Sequence, residues 1–148
     1  MYRWTRSLLR SVVLWVYGGA LYYLAEVIYK TAIGHQAEIS WTMLVLGAII
    51  SIALDRCNEH LPWEMPLLLQ ALLGGLGITA AELLAGLILN RRFGLNVWDY
   101  STLPCNLWGQ ISPRFTLLWI AVAGVGIVVF DWLRYFLYDE PRPNYKLL

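Results

Sequence analysis

The chain has 148 residues, of which 59% are hydrophobic and only 14% charged. Soluble domains carry roughly a quarter of charged residues, so this composition excludes an ordinary water-soluble domain, a disordered chain and a collagen-like chain, and leaves an integral membrane protein. The net charge of +1, from 11 basic and 10 acidic side chains, excludes the strongly basic face of an electrostatic nucleic-acid binder.

Four apolar stretches follow in chain order, and they predict spans at about residues 8–29, 37–55, 65–89 and 115–137. A helix needs about 20 residues to cross the hydrocarbon core. The first stretch, Leu8 to Tyr29, follows Arg3 and Arg6 and contains Arg10 and Glu26. Its basic start is like that of a signal peptide, but the apolar run is too long, and it reads as a retained helix. The second, Ile39 to Leu54, carries no charge and reaches spanning length only if His35 to Glu38 or Asp55 joins it. The third, Met65 to Leu89, carries Glu82 alone. The fourth, Phe115 to Phe130, runs on past Asp131 and Arg134 to Tyr138.

Residues 94–113 are too polar for a plain span and too aromatic for a plain loop. Trp98, Tyr100 and Trp108 are interleaved with Gly94, Pro104, Gly109 and Pro113. Such a segment lies in the membrane interface or re-enters the bilayer with its backbone satisfied by protein or water. The tail after Asp139, with Pro141 and Pro143, reads as extended and aqueous. The fold class is therefore an all-α integral membrane protein: one domain over residues 1–148, a four-helix transmembrane bundle with an aromatic re-entrant or interfacial segment before the last helix.

Four spans place both termini on one side. Arg3, Arg6, Arg10, Arg56, Arg134, Arg142 and Lys146 then face Lys30, Arg91, Arg92 and Arg114 on the other. The excess on the terminal side predicts cytoplasmic termini in a multi-pass protein of the cell membrane. Cys57 and Cys105 form no CxxC and lie beside no His cluster, so zinc is not expected; a disulfide between them is the alternative to the preferred reading, in which both are free and buried. His35 and His60 fall on opposite sides and cannot share a metal; each reads as a solvated loop residue, although His35 lies on the side of Glu26 and Glu82.

Glu82 is the sharpest chemical signal. Ala71, Gly75, Thr79 and Gly86 share its helical face. Small residues on one face let another helix approach closely, so the carboxylate faces protein. Ionisable groups in such places mark functional sites by default; the plainer reading is a carboxyl that fixes helix packing. Glu26, on a stripe with Gly18 and Tyr22, precedes Lys30 at the favourable i to i+4 spacing. It is either an interfacial partner of that lysine or a second carboxylate facing Glu82. Asp99 and Asn106 either bind a ligand or brace a tight re-entry. The candidate ligand-binding set is Glu26, Glu82, Asp99, Asn106 and Tyr22, converging at the non-cytoplasmic end; no catalytic residue, metal or cofactor is assigned. The small-residue stripe Ala71, Gly75, Thr79 and the glycines Gly124 and Gly126 also suggest a homo-oligomer. No GxSxG, HExxH, GxxxxGK[ST] or nucleotide-binding glycine loop is present, so this sequence carries no ATPase motif.

The run Trp98-Asp99-Tyr100-Ser101, with Pro104, Asn106, Gly109 and Ile111, resembles the W-D-Y-S-x-x-P-x-N-x-x-G-x-I pattern of the family named Putative ABC-transporter type IV, or Putative ABC-transporter permease. Glu26, Glu82 and the stretch from His35 to Met43 fit the same resemblance, which runs from about Gly18 to the tail. It implies a compact polytopic membrane protein with a clustered polar site, and a permease-like transport role that would draw on a separate ATPase or another membrane subunit. The residues themselves leave two further functions open: a membrane-embedded enzyme or binding protein acting on a lipid or amphiphile, and a structural accessory subunit.

Overall fold

The computed structural model describes residues 2–55 and 64–147, with side chains from residue 8 onward. Arg3, Arg6, Arg56, Cys57 and His60 therefore lie outside what is described of side chains. Among the described residues four α-helices make up the bundle: α1 (Tyr2–Ala32), α2 (Thr42–Asp55), α3 (Leu67–Gly86) and α4 (Pro113–Tyr138). Among the described residues three helical segments, Leu8–Ala32, Leu67–Arg92 and Pro113–Tyr138, are long and apolar enough to cross a membrane. The bundle is all-helical among the described residues, as its composition requires.

α2 differs from the expected second span. Its 14 residues rise only about 21 Å at 1.5 Å each, short of a hydrocarbon core of about 30 Å. Asp55 does join the helix, but His35 to Glu38 does not, because Gln36–Glu38 forms a separate 3-10 turn. The helix starts where Ser40 Oγ accepts from the Thr42 N–H and bonds the Thr42 hydroxyl, a local side-chain option that competes with helix continuation.

α1 packs antiparallel on α2, and α3 antiparallel on α4. On α1, Gly18 abuts Ser51 and Gly19 abuts Ala48. On the second pair, a Cβ added at Gly75 would fall 2.5 Å from the Ile120 backbone. The buried face of α3 includes Ala71, Gly75, Thr79, Glu82 and Gly86, the stripe read from the sequence. Gly124 meets Ala71 and Gly126 meets Leu54, so the small-residue surfaces that suggested self-association are occupied within the chain. Leu14, Met43, Ile50, Ile78, Ala123 and Ile127 belong to the core. Leu9, Val16, Leu76, Leu84, Leu117 and Val125 point outward, as an apolar exterior in lipid requires.

The terminal end of the bundle is closed by a buried ion pair. Arg134 of α4 donates through Nε and Nη2 to the two oxygens of Asp55, at 2.6 and 2.8 Å, and Trp15 of α1 donates to Asp55 Oδ2 at 2.9 Å. Bidentate guanidinium–carboxylate pairing is directional as well as strong, so this contact fixes α1, α2 and α4 relative to one another. The tail is extended, as its prolines predict, but it is docked rather than free. The Leu67 N–H donates to the Lys146 carbonyl, Tyr145 donates to Asp131, and Arg134 reaches Glu140.

Candidate functional site: a carboxylate centre under the aromatic loop

At the opposite end, α3 runs into a π-helical turn, Leu87–Arg92. Such turns rotate the side chains that follow them and recur at functional sites. Here the rotation serves Asn90. Its amide donates to the Trp98 carbonyl and to Gln110 Oε1, and its oxygen accepts from the Val97 N–H. Trp98 Nε1 in turn donates to the Gln110 carbonyl. The loop of residues 93–112 is thereby tied back onto the end of α3. Gly86 allows this approach, because any Cβ there would collide with the Gln110 side chain.

The loop is irregular but closely braced. Asn96, Cys105 and Trp108 all adopt left-handed backbone with φ of 48°, 55° and 54°, a conformation that costs non-glycine residues energy unless the surroundings impose it. Asp99 accepts from both the N–H and the hydroxyl of Ser101. Asn106 donates to the carbonyls of Ser101 and Leu103 and accepts from the Gly109 N–H. The Tyr100 N–H donates to the Gly109 carbonyl, and Leu107 bridges to Ile111. Every motif residue named here thus has a conformational task. Ser112 then caps α4, with Pro113 in its first turn.

Beneath this loop lies Glu82, 4% exposed. Its Oε1 accepts from the Tyr100 hydroxyl at 2.8 Å and its Oε2 from Trp119 Nε1 at 2.8 Å. Tyr100 stacks on Phe115 with ring centroids 4.3 Å apart, which fixes the phenol over the carboxylate. Burial pushes the Tyr100 phenol up, the charge and hydrogen bond of Glu82 push it further, and Tyr22 and Glu26 add to the shift. Glu26, Tyr22, Glu82 and Tyr100 therefore lie within electrostatic range of one another. Tyr22 also approaches Trp119, at 6.0 Å between rings.

Glu26 forms the pair with Lys30 that its spacing predicted, at 2.8 Å. Lys30 goes further than a surface partner. It is 5% exposed, and its ammonium also donates to the Glu38 carbonyl at 2.8 Å and the Val97 carbonyl at 2.7 Å. Its three hydrogens meet three acceptors.

Of the five candidates, Glu26, Glu82 and Tyr22 come together, and Asp99 and Asn106 brace the loop above them. His35 is exposed and bonds Glu38. Cys105 is free, as expected, but exposed rather than buried, in a loop whose polar and left-handed residues keep it out of the apolar helices. Among the described residues no group of three His, Cys, Asp or Glu side chains could hold a metal. A pocket lined by Glu64, Pro141, Arg142, Asn144 and Lys146 lies under the tail, at the other end. Sequence reasoning missed Trp119 and Tyr100 as the direct donors to Glu82. An indole or phenol near a lone carboxylate is a usable signal only when the pairing of helices is known.

The family model described as Putative ABC-transporter type IV matches residues 2–144, nearly the whole chain. The chain belongs to this family. No curated protein and no solved structure matches it. Membership joins the apolar helices in making this an ABC-transporter-related, multi-pass membrane protein.

Proposed function

We propose that this family member is a permease-like transport component whose working centre is the carboxylate pair Glu82 and Glu26 with the Tyr22 phenol, covered by the Tyr100 loop. The observation that carries this reading is Glu82: a carboxylate within an apolar helix of spanning length, held by two neutral donors. Ionisable groups inside membrane helices are costly and are kept where they bind or move something. Asp99 and Asn106 serve the site by holding the loop that carries Tyr100. The sequence offers no phosphate-binding loop, so a separate ATPase or another membrane subunit would supply energy from nucleotide.

The sealed burial of Glu82 favours a second reading, a structural accessory subunit in which the carboxylate only fixes packing. Untargeted mass spectrometry of compounds that co-purify with the intact protein separates the two. The transport reading expects a compound carried by the wild type and lost in Glu82→Gln. Equally folded proteins that both carry nothing would turn the assignment to the accessory subunit.

A further inference from the structure

We propose that Glu82 is a reversible proton-binding site, and that the proton goes on Oε1, the oxygen facing Tyr100. This rests on the reading of the Glu82 centre as the working site and names the ion it handles.

The groups around the carboxylate come from every element packed there. α1 contributes Tyr22 and Glu26, with Lys30 behind Glu26; the loop contributes Tyr100; α4 contributes Trp119. The one acidic residue of α2, Asp55, lies at the far end, paired with Arg134. Among the described residues no cation pairs with Glu82. Lys30 has all three hydrogens committed to Glu26, Glu38 and Val97, and Arg91, Arg92 and Arg114 are exposed. Glu26 adds a second carboxylate to the same neighbourhood. An ionised carboxylate so placed is expensive, and a bound proton removes the charge. The two acids are thus set apart by their surroundings, Glu26 held by the Lys30 ammonium and Glu82 by two neutral donors.

A metal ion fits this centre poorly, because among the described residues no group of three His, Cys, Asp or Glu side chains could hold one, and Trp119 Nε1 and the Tyr100 hydroxyl both point hydrogens at the Glu82 oxygens. Trp119 Nε1 can only donate, whereas a phenol oxygen both donates and accepts. The two sides of the carboxyl are therefore unequal. On protonation, a proton from the aqueous phase forms a bond with an Oε1 lone pair. The Tyr100 hydroxyl hydrogen turns off the carboxyl, and the phenol oxygen accepts the new O–H. Trp119 keeps its bond to Oε2, which becomes the carbonyl oxygen. Release of the proton reverses each step. Tyr100 belongs to the loop, so its donor-to-acceptor change is where the proton state of α3 reaches the cover of the site.

The test is infrared difference spectroscopy of the intact chain in lipid nanodiscs across a pH series. The wild type should show a protonated carboxylic carbonyl band that fades as pH rises. The band should be lost in Glu82→Gln, kept in Glu26→Gln and shifted in Tyr100→Phe. Glutamine mimics the protonated acid, its carbonyl accepting from Trp119 and its amide donating to Tyr100, so Glu82→Gln should melt no lower than the wild type at neutral pH. A wild-type spectrum without the band, a band unmoved by pH, or a band surviving in Glu82→Gln overturns the proposal. Should Glu82→Gln fail to fold, Trp119→Phe reads the same oxygen: loss of its N–H should move the band to higher frequency, and an unshifted band overturns the assignment. A Glu82-dependent co-purified compound without the band would leave the transport reading standing and remove the proton. The band without any carried compound would do the reverse.

Discussion

Lys30 Nζ lies 2.7 Å from the carbonyl oxygen of Val97, 67 residues further along the chain. One ammonium thereby joins the end of α1, the 3-10 turn at Glu38 and the loop that covers Glu82. The bond also explains why a lysine is buried at this depth: its charge is paired with Glu26 and its other hydrogens meet carbonyls. A buried charge without such partners would be untenable.

Replacing Lys30 with Met keeps most of the stem and removes the ammonium. Glu26, itself half-buried, is then left without its partner, and two carbonyls lose a donor. Breaking a buried pair from one side costs about 3–5 kcal/mol. Lys30→Met should therefore lower the melting temperature in detergent strongly, while Lys30→Met combined with Glu26→Gln should recover part of the loss. Equal melting temperatures for wild type and Lys30→Met would show that the ammonium does not hold the loop.

The small-residue stripe makes a second expectation. Gly75 lies against the Ile120 backbone, so Gly75→Leu forces α3 and α4 apart. Overpacking of this kind costs typically about 1–3 kcal/mol and occasionally more. The variant should unfold more readily in a detergent melt. Unchanged stability together with a change in oligomeric mass would place the stripe at an interface between copies instead.

What was legible in the sequence was whatever depends on neighbours three or four residues apart. The Ala71, Gly75, Thr79, Glu82, Gly86 face announced a helix seam with a carboxylate on it, and Glu26 announced Lys30. The length of α2 was not legible, because Ile39 continues the apolar run while the hydroxyls of Ser40 and Thr42 turn the backbone before the helix begins. Nor were the contacts that depend on tertiary pairing. Asp55 and Arg134 are 79 residues apart, and each reads in sequence as a charge flanking a span. Trp119 reads as one more apolar residue until α4 is laid against α3. Asp99 and Asn106 were visible as polar residues in an aromatic segment, but their partners within the loop follow from its left-handed turns, which composition does not specify.

The raised phenols give a pH expectation. Burial pushes Tyr100 up, and burial with the Asp131 contact does the same for Tyr145. A phenol whose folded value exceeds its unfolded value of 10.0 stabilises the fold fully below that pH. Its contribution is lost as pH rises above it, because the unfolded chain then releases the proton first. Tyrosinate absorbance should accordingly rise in two steps, exposed phenols first and the buried ones with unfolding. Tyr100→Phe should shrink the second step alone. A smaller first step in that variant would mean that Tyr100 titrates freely and is not held over Glu82.

The two chain ends supply the last expectation. The Tyr138 hydroxyl donates to the Arg10 carbonyl at 3.3 Å, and the Arg10 guanidinium lies 4.9 Å from the Tyr138 ring centre. The start of α1 and the end of α4 therefore share one end of the bundle, the end closed by Asp55 and Arg134. The short α2 does not alter this, because it returns antiparallel along α1 before α3 and α4 pair. Arg10, Arg134, Arg142 and Lys146 belong to this end, while Lys30, Arg91, Arg92 and Arg114 belong to the Glu82 end. With Arg3, Arg6 and Arg56 counted from the sequence alone, the basic excess predicts that the terminal end faces the cytoplasm. Reporter fusions at residues 1 and 148 should give matching cytoplasmic signals, and a cysteine-reactive reagent that cannot cross the membrane should label exposed Cys105 from outside intact cells. Matching signals of the opposite sense, with Cys105 protected from outside, would invert the molecule and place the carboxylate centre on the cytoplasmic side. Opposite signals at the two ends would separate Arg10 from Tyr138 by a membrane and rule out the packing of α1 against the end of α4.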